Sequence, residues 1–160
     1  MRSRLLVLGA ICFAALILSG QSAPTTSDNL PPGFVDGSKT PDLIPDRVAL
    51  RLVLLSFTVS DSPTPLEMKK QDSSLRRIGL SDADKSLLRQ QLTAFAAAHA
   101  RWNDKLVAAR LGGGSPGLND EGWGIVEDTR QALDRHLSSE GRARLAAFIT
   151  QAKAHMVARP

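Results

Sequence analysis

Tyrosine is absent from this 160-residue chain, and aromatic residues of all kinds make up 4% of it. Clustered β-branched residues are few as well, which argues against an all-β sandwich. The one cysteine, Cys12, excludes a disulfide framework and a thiolate zinc cluster. There is no His-Glu-x-x-His, no histidine pair at four-residue spacing and no Gly-x-Ser-x-Gly, so the usual signatures of a zinc enzyme or a serine hydrolase are missing. Gly112-Gly113-Gly114 is glycine-rich, but no Lys-Ser/Thr follows, so it is a helix connection and not a phosphate loop. What is present is a hydrophobic share of 42% and a charged share of 22%, enough for one globular domain.

Residues 1–23 have the pattern of a secretory signal: Arg2 and Arg4, an apolar run from Leu5 to Leu18, then Ser19, Gly20, Gln21, Ser22 and Ala23. The apolar run falls short of the ~20 residues that span a bilayer as a helix. Cleavage after Ser22 or Ala23 is expected, with an uncleaved N-terminal anchor as the alternative. The protein is thus expected to be exported, periplasmic or extracellular. Cys12 lies inside this segment, so a mature chain has no thiol. Lys and Arg number 20 against 16 Asp and Glu; without Arg2 and Arg4 the balance is 18 against 16, or +2. So small a surplus does not point to nucleic acid.

Residues 24–44, with Pro24, Pro31, Pro32, Pro41, Gly33 and Gly37, predict an extended arm that is neither helix nor good strand, with a plain disordered leader as the alternative. Phe34 and Val35 are placed to tack it to the body. From residue 45 to residue 160 the pattern is that of a single α-helical domain of about five helices, arranged as an antiparallel bundle or hairpin assembly. The first, about Pro45 to Phe57, is apolar almost all round and is either central or turned toward a partner. Thr64-Pro65-Leu66-Glu67 is a capping box that opens the second, and Gly79 is its stop. Ser81 and Asp84 form a weaker box at the third, whose seam Leu88, Leu92, Phe95, His99, Trp102, Leu106 and Ala109 steps by alternating fours and threes. The fourth starts somewhere between Asn119 and Ile125, blurred by Gly122 and Gly124. Ser138 caps the fifth, with Leu145, Phe148, Ile149, Ala152 and Met156 as its stripe and Lys153, His155 and Arg159 as its positive end.

The segments Asp42-Leu43-Ile44-Pro45-Asp46, Ile78-Gly79-Leu80-Ser81-Asp82-Ala83-Asp84 and Leu137-Ser138-Ser139-Glu140-Gly141 together resemble a group of small secreted all-helical bacterial proteins of unassigned function. A looser similarity is to the Spy/CpxP-type periplasmic helical stress proteins, marked by a repeated Leu-Thr-x-x-Gln. The corresponding places here are Leu80-Ser81-x-x-Asp84 and Leu137-Ser138-x-x-Gly141, with Ser for Thr and no Gln. That resemblance implies ATP-independent holding of unfolded clients by a helical cradle.

Three functional expectations follow. The first is a non-enzymatic binding or chaperone-like module of the cell envelope, holding a protein partner or unfolded client, with an anionic membrane surface as a further partner. Its surface would combine Leu50, Leu54 and Phe57 of the apolar first helix with Lys69, Lys70, Arg76 and Arg77, which line one side of the second helix at seven-residue spacing. The same apolar helix would serve a homodimer. The second is a small-ligand or metal carrier. The third is an enzyme with an unfamiliar site around His99 and Trp102, needing a pocket there and a carboxylate that moves the His99 pKa. The plainer account of His99 is a partly buried histidine with one hydrogen-bond partner. Trp123, between Gly122 and Gly124, either plugs the core or anchors a partner. No cofactor, metal ligand set or catalytic residue is expected from the pattern.

Overall fold

In the computed structural model, which describes residues 30–60, 62–112 and 117–159, helices make up most of the chain. They are α1 (Asp46–Phe57), α2 (Pro65–Ile78), α3 (Asp82–Gly112), α4 (Leu118–His136) and α5 (Ser139–Lys153). The fold is all-α, as expected, with one small antiparallel ladder of β1 (Val35–Asp36) and β2 (Val157–Ala158). The expected signal, residues 1–23, and residues 24–29 of the arm lie outside the described residues. Among the described residues no helix is long and apolar enough to cross a membrane.

The local start and stop signals act as their chemistry requires. Thr64 Oγ1 accepts from the Glu67 amide at 3.2 Å, while Glu67 accepts from the Thr64 amide at 2.7 Å. Two donors at the head of α2 are thereby satisfied reciprocally. The Thr64 amide is the main reason the Glu67 carboxyl titrates below its usual range. Gly79 closes α2 in the left-handed region, φ 76°. α3 and α4 then run antiparallel along each other as a long hairpin, tied by Trp102 Nε1 donating to the Leu118 carbonyl at 2.7 Å and by Lys105 on Glu121 at 2.5 Å.

α1 is the centre of the molecule. It packs on α2, α3, α4 and α5, and its Val48, Ala49, Leu50, Val53, Leu54 and Phe57 are all buried. This corrects one expectation: Leu54 and Phe57 are core residues, and Leu50 is buried apart from the edge it gives to a groove described below, so the three do not form an exposed docking face. The reason is that an all-round apolar helix gains about 1.5–3 kcal/mol per large side chain by burial, and this chain carries enough amphipathic helix to cover it. Phe57 meets Phe148 of α5, ring centres 5.7 Å apart. Buried Gln71 of α2 donates to the free carbonyl of Phe57 at 2.8 Å, satisfying the end of α1.

The arm is more ordered than its composition predicts. Pro41–Leu43 forms a 3-10 turn, Ile44 is fully buried, and Val35–Asp36 pairs with Val157–Ala158. Val35 is the residue that tacks it down; Phe34 is exposed. The partner strand exists because α5 stops at Lys153, earlier than its positive end predicts. The amides of Ala154, His155 and Met156 turn back onto the carbonyls of Gln151, Ala152 and Lys153, and the chain reverses into β2. α4 departs from expectation at its other end. It begins at Leu118, and Gly122 and Gly124 lie inside it. A Cβ at Gly122 would stand 2.8 Å from the Trp102 indole, so the glycine is there to let the hairpin close over that ring.

The helix starts at Ser81 and Ser138, far apart in sequence, meet at one carboxylate. Asp84 is buried in the first turn of α3. It accepts from the Ser138 amide at 2.9 Å, from the Ser138 hydroxyl at 2.7 Å and from the Ser81 hydroxyl at 2.9 Å. Ser138 in turn caps α5 by accepting from the Gly141 amide at 2.9 Å. The carboxylate thus faces the N-termini of two helices, where negative charge is favoured.

Candidate functional site

A half-open groove of about 680 Å³ lies between α1, α4 and α5. Its floor is apolar: Leu50 from α1, Val126 and Leu133 from α4, Leu145 and Ile149 from α5, with the Trp123 ring along one side. Ala146 and Thr150 of α5 form an exposed lip. These positions recur one helical turn apart on α4 and α5, so each helix contributes a stripe to the core and its shoulder to the groove.

The rim is charged, and most of those charges are mutually engaged. Arg130 donates to both oxygens of Glu127, at 2.9 and 2.6 Å, and to Asp134 at 2.5 Å. Those Arg130 bonds are the main reason the Glu127 carboxyl is pulled down to about 2. Asp46 is held by Lys153 at 2.6 Å. Arg47 differs: its guanidinium lies 4.9 Å from the centre of the Trp123 ring, and it has no carboxylate partner among the described residues. One turn on, Arg51 lies 5.3 Å from the same ring and 5.1 Å from that of Trp102. Trp123 is half-buried, packed on the core and lining the groove, so it serves at once as plug and as wall.

His99 lies between Phe95 and Trp102, ring centres 5.6 and 5.1 Å away. Its Nε2 is buried and has no hydrogen-bond partner, unlike the singly bonded histidine expected there. Burial, and after it the charge of Arg51, lowers its pKa; no carboxylate contributes. A lowered histidine pKa means that stability is full above the ordinary value of 6.5 and falls as acid drives the unfolded chain to take up the proton first. His99→Leu is therefore expected to melt at or above the wild-type temperature at pH 7, because it removes an unpaired polar group. Its advantage should grow on going to pH 5, as followed by circular dichroism. A lower melting temperature at both pH values would show that the imidazole has a polar partner after all.

The basic residues of α2 are where the spacing places them. Lys69, Lys70, Arg76 and Arg77 are exposed, opposite the buried Gln71, Leu75 and Ile78, and none pairs with a carboxylate among the described residues. The acids of the same helix are engaged elsewhere, Glu67 in the capping box and Asp72 with Arg89 of α3. Structure therefore separates the two halves of the expected binding surface: the cations face solvent and the leucines and Phe57 face the core. Of the groove's lining, the sequence assigns a partner role only to Leu50 and Trp123, and it places Leu145 and Ile149 on the apolar stripe of the fifth helix. Arg47 and Arg130 carry no local pattern, and the glycines beside Trp123 were the one available signal. Among the described residues, no three His, Cys, Asp or Glu side chains converge in a way that would hold a metal ion. Compared with known protein families, curated proteins and solved structures, the chain matches none.

Proposed function

We propose that this is an exported, non-catalytic binding protein that holds an apolar ligand in the groove between α1, α4 and α5. The observation that carries the reading is the groove itself: about 680 Å³, with an apolar floor and a rim of fixed charges. Small-molecule sites have this size and this division between a greasy interior and a few placed polar groups. The helices around it are well anchored at their ends, so the groove is preformed and costs little to order on binding. Export rests on the signal-like residues 1–23. Among the described residues, the other large exposed apolar side chains are Phe34, Leu43 and Val157 on the arm and the tail strand paired with it, Leu66 and Met68 on α2 and Val107 on α3, and none of them lines the groove. The unpaired cations of α2 support a separate contact with an acidic partner.

The neutral dye N-phenyl-1-naphthylamine tests this. Its fluorescence should rise on mixing with the protein and should fall at least about tenfold in affinity with Ala146→Trp, which fills the groove from its exposed lip. Equal binding by the filled variant, or none by the wild type, would refute the groove as a binding site.

A further inference from the structure

The charges of the groove are unevenly matched. On the α4 wall, Glu127 and Asp134 share the single cation Arg130, so both carboxylates have a partner and that wall keeps one negative charge in surplus. At the head of α1, Asp46 is taken up by Lys153. That leaves Arg47 as the one cation lining the groove without a carboxylate among the described residues. Arg51, on the same side of α1 one turn away, is likewise unpaired, and both guanidinium groups lie about 5 Å from the centre of the Trp123 ring. Two like charges over one indole repel each other, and a guanidinium presents a flat fork suited to a carboxylate. The apolar floor begins beside them at Leu50 and continues across Val126 and Ile149.

We propose that the ligand is an apolar acid, its carboxylate on Arg47 at the Trp123 end and its hydrocarbon along the floor. This rests on the groove being a binding site, and it adds the chemical class. An apolar alcohol fits the floor but leaves Arg47 without a counter-charge. An apolar amine brings a third cation to a place that already holds two.

The test uses the full chain and three ten-carbon probes below their micelle concentrations: decanoate, decanol and decylammonium. Tryptophan fluorescence is the readout, since Trp123 lines the groove and Trp102 shares Arg51 with it. Decanoate should bind about tenfold or more tighter than decanol, as a charge-assisted contact predicts, and decylammonium weakest. Arg47→Gln, at an exposed position that should leave the fold intact, should erase the difference between acid and alcohol. In the wild type, raising salt from 20 to 500 mM should shrink that difference. Equal binding of acid and alcohol, tighter binding of the amine, or a preference that survives Arg47→Gln would overturn the acid class and leave the groove standing. Failure of all three probes, or their equal binding by Ala146→Trp, would remove the groove and this inference together.

Discussion

Asp84→Ala should lower the melting temperature by about 5–10 °C at neutral pH, although the residue does not line the groove. The substitution removes three accepted hydrogen bonds at once. It leaves the Ser138 amide, at the part-buried head of α5, and the Ser138 and Ser81 hydroxyls without their charged acceptor, and hydrogen bonds to a charged group are the stronger kind. The pH dependence carries the signature. The Ser138 amide first, then its hydroxyl and that of Ser81, hold the Asp84 carboxyl below its ordinary value of 3.8. A lowered carboxylate pKa means that its stability is full above the unfolded value and is lost as pH falls below it toward the folded one. Wild type and Asp84→Ala should therefore converge as the pH is taken from 5 toward 2, measured by thermal or urea unfolding. A gap that stays constant over that range would mean the charge does not matter. Gly141 supplies a second check. A Cβ there would stand 2.6 Å from an Asp84 carboxylate oxygen, so Gly141→Ala should destabilise the wild type strongly and the Asp84→Ala background much less.

Gly37→Ala should detach the arm. The added Cβ would lie 1.8 Å from the Lys153 carbonyl oxygen and 2.8 Å from that of Met156, and neither backbone atom can swing aside. The requirement is one of space. Relief comes only by lifting the segment, which breaks the Gly37 amide bond to Met156 at 2.8 Å and the β1–β2 ladder. It also uncovers Ile44, which is fully buried against Val48, Ala49 and Ala158. Exposing that isoleucine alone costs about 3 kcal/mol. The expected result is a matching fall in urea stability together with much faster tryptic cleavage after Lys39. Unchanged cleavage with unchanged stability would show that the arm is not held where the structure puts it.

Much of the helical pattern was legible because it is local. Thr64 and Glu67, Gly79, Ser138 and the seam from Leu88 to Trp102 each announce themselves within a few residues. What was not legible depends on partners distant in the chain. Nothing near Val157 predicts a strand, since its partner is Val35. Gly122 looks like a helix breaker until the Trp102 indole lies over it. Ser81 and Ser138 are each readable as a cap, but that one aspartate serves both is a long-range fact. The apolar girth of α1 is legible in the sequence but fits two outcomes, and only packing decides between a core and a docking face. The groove was hidden for the same reason: its floor comes from three helices whose residues share no motif.

The β1–β2 ladder has a consequence for the order of folding. Val35 is among the first of the described residues to be made and Ala158 among the last, yet they are direct neighbours. A ribosome adds roughly 5–20 residues each second, so the arm waits many seconds for its strand partner. α5, which α1 also needs, is finished only just before it. Helical hairpins such as α3–α4 can form early, because their contacts are near in sequence. The central helix cannot be enclosed until nearly the whole described chain has been synthesised. Until then its leucines are open to whatever else is at hand, and removing Val157 and all that follows should leave Ile44 and the start of α1 permanently in that unfinished condition.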